Sequence, residues 1–311
     1  MANSLIWIPK RLVEVGLLDI AARDPEAFVN YCEDDYNARV GRAADTILAS
    51  GAHVVMLTGP SASGKTTSAH KIADAITARG SRSAVISLDN FFKDVEDYPR
   101  LPSGEKDYES VDALDIARIN ACLLQLVQTG RTEVPDFDFC SEERRHGTLP
   151  IEVDGGVAIV EGIHALNPRL TASVPAGSVF KIYAGLREEY SDGGQRVLPT
   201  RDVRLARRMV RDIKFRSHSI EKTFSMWPGV CAGEDKNIKV FKSEADLLLD
   251  TSFSYEVCCL APYVLEMRGG VPAQSPCAAQ LEALCSHFAL CTPVAEDVMP
   301  ANSMLREFIG Q

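Results

Sequence analysis

The 311-residue chain is 46% hydrophobic and 24% charged, globular proportions that exclude disorder, collagen and coiled coil as descriptions of the whole. Its 33 basic residues against 43 acidic ones leave a net charge of −10, which argues against a general binder of nucleic acid or of anionic membrane. No apolar run reaches the ~18–20 residues that cross a bilayer. The N-terminus lacks a signal-peptide pattern, and nine cysteines without a Cys-x-x-Cys pair do not form a disulfide framework, so a cytoplasmic, reducing setting is the expectation.

In chain order, residues 19–50 place Ala27, Phe28 and Tyr31, then Val40, Ala43, Ala44 and Ile47, at helical spacing. Residues 53–58, apolar and β-branched between Gly51 and Gly59, predict a buried strand. A helix over 64–79 follows, closed by Gly80; residues 84–88 predict a second strand and 112–129 a second helix closed by Gly130. Short apolar runs at 157–160, 179–183 and 247–250 supply the third, fourth and fifth strands. Cys258 and Cys259 sit in a strand-like apolar run and read as buried free thiols. Pro272 and Pro276 break the chain before a small helical tail at 277–290 and 303–309. Strands alternating with helices predict an α/β fold, its parallel sheet covered on both faces. The divisions expected are an N-terminal helical extension (1–50), a main domain (51–270) and a C-terminal helical tail (271–311).

Gly59-Pro-Ser61-Ala62-Ser63-Gly64-Lys65-Thr66-Thr67 fits G-x-x-x-x-G-K-[ST] and lies between a predicted strand and a helix start. Such a loop turns its backbone N–H groups inward around a polyphosphate, and the helix after it aims its positive end at the anion. Lys65 can reach the β- and γ-phosphates and the Thr66 hydroxyl can ligate Mg²⁺. A phosphate loop needs an acid for the metal at a nearby strand end. Asp89 and Glu161 each follow a predicted strand and qualify; a helix cap or surface acid is the plainer role of either alone.

Residues 196–216 hold eight of the 33 basic residues in 21 positions. On a helix, Arg204, Arg208 and Arg211 share one face while Leu205, Met209 and Ile213 line another. Arginines closing over a triphosphate explain the cluster. A solvated face tied to Asp202, Asp212 and Glu221 is the alternative. His164, in a strand-end loop, and His53, at a strand start, are left as incidental residues, and no zinc or Ser-His-Asp pattern stands out.

With Ser87-Leu-Asp-Asn-Phe-Phe-Lys93, Val134-Pro-Asp-Phe-Asp-Phe139 and Val160-Glu-Gly-Ile163 added, the chain resembles the uridine kinase and phosphoribulokinase family. The likeness is nearest to bacterial uridine kinase-like nucleoside kinases, here without the large N-terminal domain resembling part of threonyl-tRNA synthetase. The resemblance implies a P-loop three-layer fold with a helical lid at about 187–235. It also implies ATP- and Mg²⁺-dependent phosphoryl transfer to the 5′-hydroxyl of a nucleoside, with no nucleic-acid or membrane partner. Relatives often form dimers or tetramers, so a homo-oligomer is the further expectation. By resemblance Asp89 is the base, and Lys65 and Arg211 complete the catalytic set. Gly59, Ser61, Ala62, Ser63, Gly64, Lys65, Thr66, Thr67 and Arg208 hold ATP, and Thr66 with Glu161 holds the metal, Glu161 through water. Asp89, Phe92, Glu109, Phe137, Glu142, Arg208 and Arg216 form the acceptor site. The family's base-reading histidine and tyrosine are replaced by Glu142 and Phe137, a common glutamine by Met226, and a second tyrosine by Phe92. A kinase of another small alcohol (a different nucleoside, a sugar phosphate, pantothenate) therefore stays open, as does a non-catalytic nucleotide-binding regulator.

Overall fold

The computed structural model describes residues 8–138 and 143–310. The N-terminal stretch is not wholly helical: a strand, β1 (Arg11–Glu14), precedes α1 (Val15–Ala21) and α2 (Pro25–Ser50). The helix predicted from residue 19 is interrupted because Asp24 and Pro25 start a new one. The Asp24 side chain accepts from the Ala27 N–H and Pro25 occupies the first turn, where its missing donor costs nothing. The chain continues through β2 (Val54–Thr58), α3 (Lys65–Thr77) and β3 (Ser83–Ser87) to α4 (Ile116–Thr129). The last of these starts later than expected, since Asp115 caps it, and Gly130 ends it in the left-handed conformation.

Next come β4 (Arg131–Asp138), β5 (Glu143–Glu152), β6 (Val157–Glu161), β7 (Val179–Gly185), β8 (Glu188–Asp192) and β9 (Gln195–Leu198). The lid region is α5 (Thr200–Arg216) and α6 (Ile220–Gly233), followed by β10 (Leu247–Asp250) and α7 (Glu256–Glu266). Two tail helices, α8 (Ala278–Phe288) and α9 (Arg306–Ile309), complete the order. Cys258 and Cys259 lie in α7 and not in a strand; both are buried free thiols. An apolar run without polar alternation suits either element, and here packing chose the helix.

Five parallel strands form the main sheet in the order β10-β7-β2-β6-β3. Side chains alternate across it. Val55 and Leu57 of β2 join Ile159 of β6 in a core under α2, α3, α5 and α7, while Val54 and Met56 join Val160 in a second core under α4. Two-sided burial explains why these strands read as continuous apolar runs. Tyr36, from α2, and Phe288, Met304 and Phe308, from the tail, belong to the first core, so both termini pack with the sheet. β1, β8 and β9 form a small sheet, and β4 and β5 a hairpin.

One buried ion pair fixes α5 against α7. Arg207 is fully buried; its Nε donates to Glu256 Oε2 at 2.6 Å and its Nη2 to the Thr251 carbonyl at 3.0 Å. Arg207→Ala would strand the Glu256 carboxylate in the core, a loss expected to cost ~3–5 kcal/mol. Urea unfolding measures it, and a change below ~1 kcal/mol would contradict the assignment.

Candidate active site

β2 runs into the phosphate loop at the C-terminal edge of the sheet, beside the point where strand order reverses. Two glycines are sterically required. A Cβ on Gly59 would stand 2.4 Å from the Ala184 carbonyl oxygen; Gly64 has φ +77° and a Cβ there would meet Met304 Sδ at 2.3 Å. Ala62 takes φ +59°, a strained conformation of the kind stored at functional loops. The first intrahelical bond of α3 is Ser68 N–H to the Gly64 carbonyl, which leaves the N–H groups of Lys65, Thr66 and Thr67 at the helix mouth. That mouth is an anion site. The Ser63 hydroxyl is buried there without a hydrogen-bond partner.

α5 braces the loop from outside. Arg204 Nη1 donates to the Ser61 carbonyl (3.2 Å), Arg207 Nη1 to the Ala62 carbonyl (3.3 Å) and Arg208 Nη1 to the Ser61 hydroxyl (3.0 Å). Arg204 also pairs with Glu234 at 2.6 Å, both side chains buried. Arg208, Arg211 and Arg216 converge on the fully buried Asp212, with closest approaches of 3.2, 2.8 and 3.7 Å. Arg204 and Arg208 are therefore built into the protein while Arg216 stays half-exposed, and the apolar stripe of Leu205 and Met209 fades at the exposed Ile213.

The two candidate acids meet at adjacent strand tips. Glu161 ends β6 opposite Ser87, the last residue of β3, and accepts the Ser87 hydroxyl at 3.0 Å on Oε1. The same Ser87 oxygen accepts the Asp89 N–H at 3.3 Å. Asp89 opens to solvent within the cleft, yet surrounding protein raises its pKa, with Lys65 and Arg216 opposing the shift. Burial likewise raises Glu161 and Glu109; Lys65 opposes both, and Arg208 opposes the shift at Glu109. Lys65 is thus shared by Asp89, Glu109 and Glu161, which the fold brings together around the loop.

Glu161 Oε2 is buried with no hydrogen-bond partner, and the Thr66 hydroxyl is near enough to stabilise the carboxylate. An orphaned carboxylate oxygen beside a hydroxyl, at the mouth of a phosphate loop, fits a hard cation such as Mg²⁺. Among the described residues no three His, Cys, Asp or Glu side chains gather as a metal cage. Mg²⁺ in phosphate sites needs only one or two carboxylates plus phosphate oxygens.

Three residues past Asp89, the Phe92 ring lies tilted at 5.8 Å from Tyr98 and 6.0 Å from Phe137, forming an aromatic wall. Glu142 lies outside the described residues. Met226, on α6, is exposed. His164 is buried with neither ring nitrogen hydrogen-bonded, and burial lowers its pKa to about 4, against Asp107 and Asp112; it is neutral and a weak base. His53 Nδ1 sits 3.2 Å from the Gly156 carbonyl, a structural contact.

The motifs across residues 53–266 resemble one family, and the comparison agrees: the sequence model of the Phosphoribulokinase / Uridine kinase family matches residues 54–256. The chain belongs to this family. It is a P-loop kinase fold, and ATP binding goes with the family in general. A uridine kinase of Lactobacillus helveticus is 28% identical over 176 residues, 57% of this chain and 75% of that protein. A uridine kinase of Borrelia duttonii is 28% identical over 197 residues, 63% and 85% respectively. A solved D-glycerate 3-kinase from Cryptococcus neoformans aligns over 86% of this chain and 87% of its own, at 16% identity and a TM-score of 0.35. No helix among the described residues is long and apolar enough to cross a membrane.

The C-terminal tail of this family member was not expected at the phosphate loop. Met304 is fully buried against Gly64, and Thr67 donates its hydroxyl to Glu307 Oε2 at 2.7 Å. Phe308 lies under the Arg207 guanidinium at 5.1 Å, and Lys214 Nζ reaches the Ile309 carbonyl at 2.7 Å. Contacts between residues some 240 positions apart leave no local signature. Glu307→Ala should weaken ATP binding by about three- to tenfold by freeing Thr67 in the first turn of α3. Calorimetric titration with ATP tests this, and an unchanged dissociation constant would show the contact to be incidental.

Proposed function

We propose that this kinase transfers the γ-phosphoryl group of ATP to the 5′-hydroxyl of a nucleoside, with uridine and cytidine the first acceptors to try. The observation carrying the reading is the placement of Asp89: at the β3 tip its N–H bonds the Ser87 hydroxyl that also donates to Glu161, on the strand next to the one that runs into the phosphate loop. Asp89 orients the acceptor hydroxyl and takes its proton as the new P–O bond forms and the bond to ADP breaks. In a loose transition state positioning matters more than basicity, so a carboxylate suffices.

Lys65 neutralises phosphate charge, and the loop from Gly59 to Thr66 supplies inward N–H groups. Thr66 and Glu161 hold Mg²⁺, which when bound offsets negative charge on the phosphates. Arg208 and Arg211 stabilise the phosphoryl group in flight, and Arg216, already coupled to Asp89, reaches the reacting oxygen. Glu109 serves the ribose hydroxyls, and Phe92 with Phe137 flanks the base. A kinase of another small alcohol is the second reading. Phe92 and Phe137 favour it, because they offer stacking faces but no hydroxyl to read a base edge, and lost polar readers relax discrimination.

A coupled ADP-release assay over a panel of nucleosides, sugar phosphates and pantothenate separates the readings; release with none of them would end both. Asp89→Asn should lower kcat by at least ~100-fold while ATP binding survives. Turnover near wild type in that variant would remove Asp89 from its role.

The pH dependence has a definite sign. Burial raises the Asp89 pKa, and the active form is the carboxylate, so activity is lost as pH falls through that raised value. The acid limb of kcat/KM should therefore have a midpoint above the ~4 of an ordinary aspartate. A limb at or below that value would mean that the cleft does not burden the carboxylate.

A further inference from the structure

A second concavity opens beside the start of α5. It is a cavity of about 440 Å³ between the end of β7, the β8–β9 hairpin, the start of α5 and the segment after α6. Seven lysines and arginines face three acidic residues along its walls. Two of the acids are already committed: Glu189 is shared by Lys10 and Arg196, and Glu234 by Arg204 and Lys239, while Arg201 of the wall pairs with Asp235. Of the seven cations, Arg187 is almost fully buried and Lys242 lies 5.2 Å from the Tyr183 ring centroid.

Concentrating cations in a concave, partly desolvated wall is unfavourable unless an anion shares the space. The crowding is visible at Lys242, whose pKa falls to about 8 through burial and then through Arg187, Lys10 and Lys239. Guanidinium and ammonium groups together make the usual receptor for phosphate oxygens. Pro60 of the phosphate loop also lines the cavity, and Arg204, which lines it too, holds the Ser61 carbonyl. The space adjoins the phosphate loop but is walled by a different set of cations.

We propose that this cavity is a second anion site, taking a phosphate group carried by a small metabolite or free in solution. It does not depend on which alcohol is phosphorylated. The test is calorimetric titration of inorganic pyrophosphate into protein saturated with a non-hydrolysable ATP analogue, so that the phosphate loop is occupied. One further equivalent should bind. Lys242→Glu should weaken it by about tenfold or more, with the melting temperature and the analogue's affinity unchanged. Arg187→Ala serves as a second probe on the buried side of the wall and should show the same loss.

Parallel titrations with inorganic phosphate and with glucose 6-phosphate distinguish the sources. Tighter binding of the ester identifies a phosphorylated metabolite, and equal binding identifies the free anion; either supports the site. No binding to the analogue-saturated protein, or undiminished binding by Lys242→Glu, overturns it. Catalysis does not enter the readout, so failure here leaves the kinase reading untouched.

Discussion

A loop that points its N–H groups at an anion must turn carbonyls the other way, and those carbonyls need donors. Here α5 supplies them. Arg204 and Arg207 donate to the Ser61 and Ala62 carbonyls, and Arg208 to the Ser61 hydroxyl. The strained backbone at Ala62 persists because a fully buried guanidinium, itself held by Glu256 and the Thr251 carbonyl, grips its oxygen. The phosphate loop, the base of the lid helix and α7 thus form one unit. The arginines of α5 divide, with Arg204 and Arg207 committed to the protein.

Much of this was legible from local signals. The central strands read as buried runs because both faces of the sheet are covered, and α3 followed from the glycine-lysine motif and its strand. Asp89 and Glu161 could be picked out because each directly follows such a strand, which puts both on the ligand-binding edge. What escaped depends on partners distant in sequence. The β4–β5 and β8–β9 hairpins lack clean alternation, and β1 is a strand only because β8 lies beside it. The tail's grip on Gly64 and Thr67 was equally invisible. Cys258 and Cys259 show the opposite failure, an apolar run whose period carried no information.

The cleft collects acids and bases that offset one another before any ligand arrives. Asp89, Glu109 and Glu161 are each pushed toward the neutral acid by burial, and Lys65 pulls all three back. Arg216 also acts on Asp89 and Arg208 on Glu109, so the cations of the cleft are divided among several carboxyls in a poorly solvated place. A cation at the orphaned Glu161 oxygen would release Lys65 from part of that load. The lysine could then attend to phosphate, which is the division of labour that metal and lysine adopt in phosphate loops generally.

Along α5 the commitments change from end to end. Arg204 and Arg207 are buried and bonded to the loop, whereas Arg216 and Phe215 in the last turn are exposed. Between these lies Asp212, fully buried and surrounded by Arg208, Arg211, Arg216 and His218. One carboxylate cannot satisfy that many donors, and its Oδ2 makes no well-aligned hydrogen bond. A phosphoryl group entering the cleft would offer the arginines three more oxygens. They could turn from Asp212 to the phosphate by side-chain rotation alone, while the helix base stays fixed. Closure over the phosphoryl group then needs no movement of the helix itself, and Asp212 holds those arginines ready.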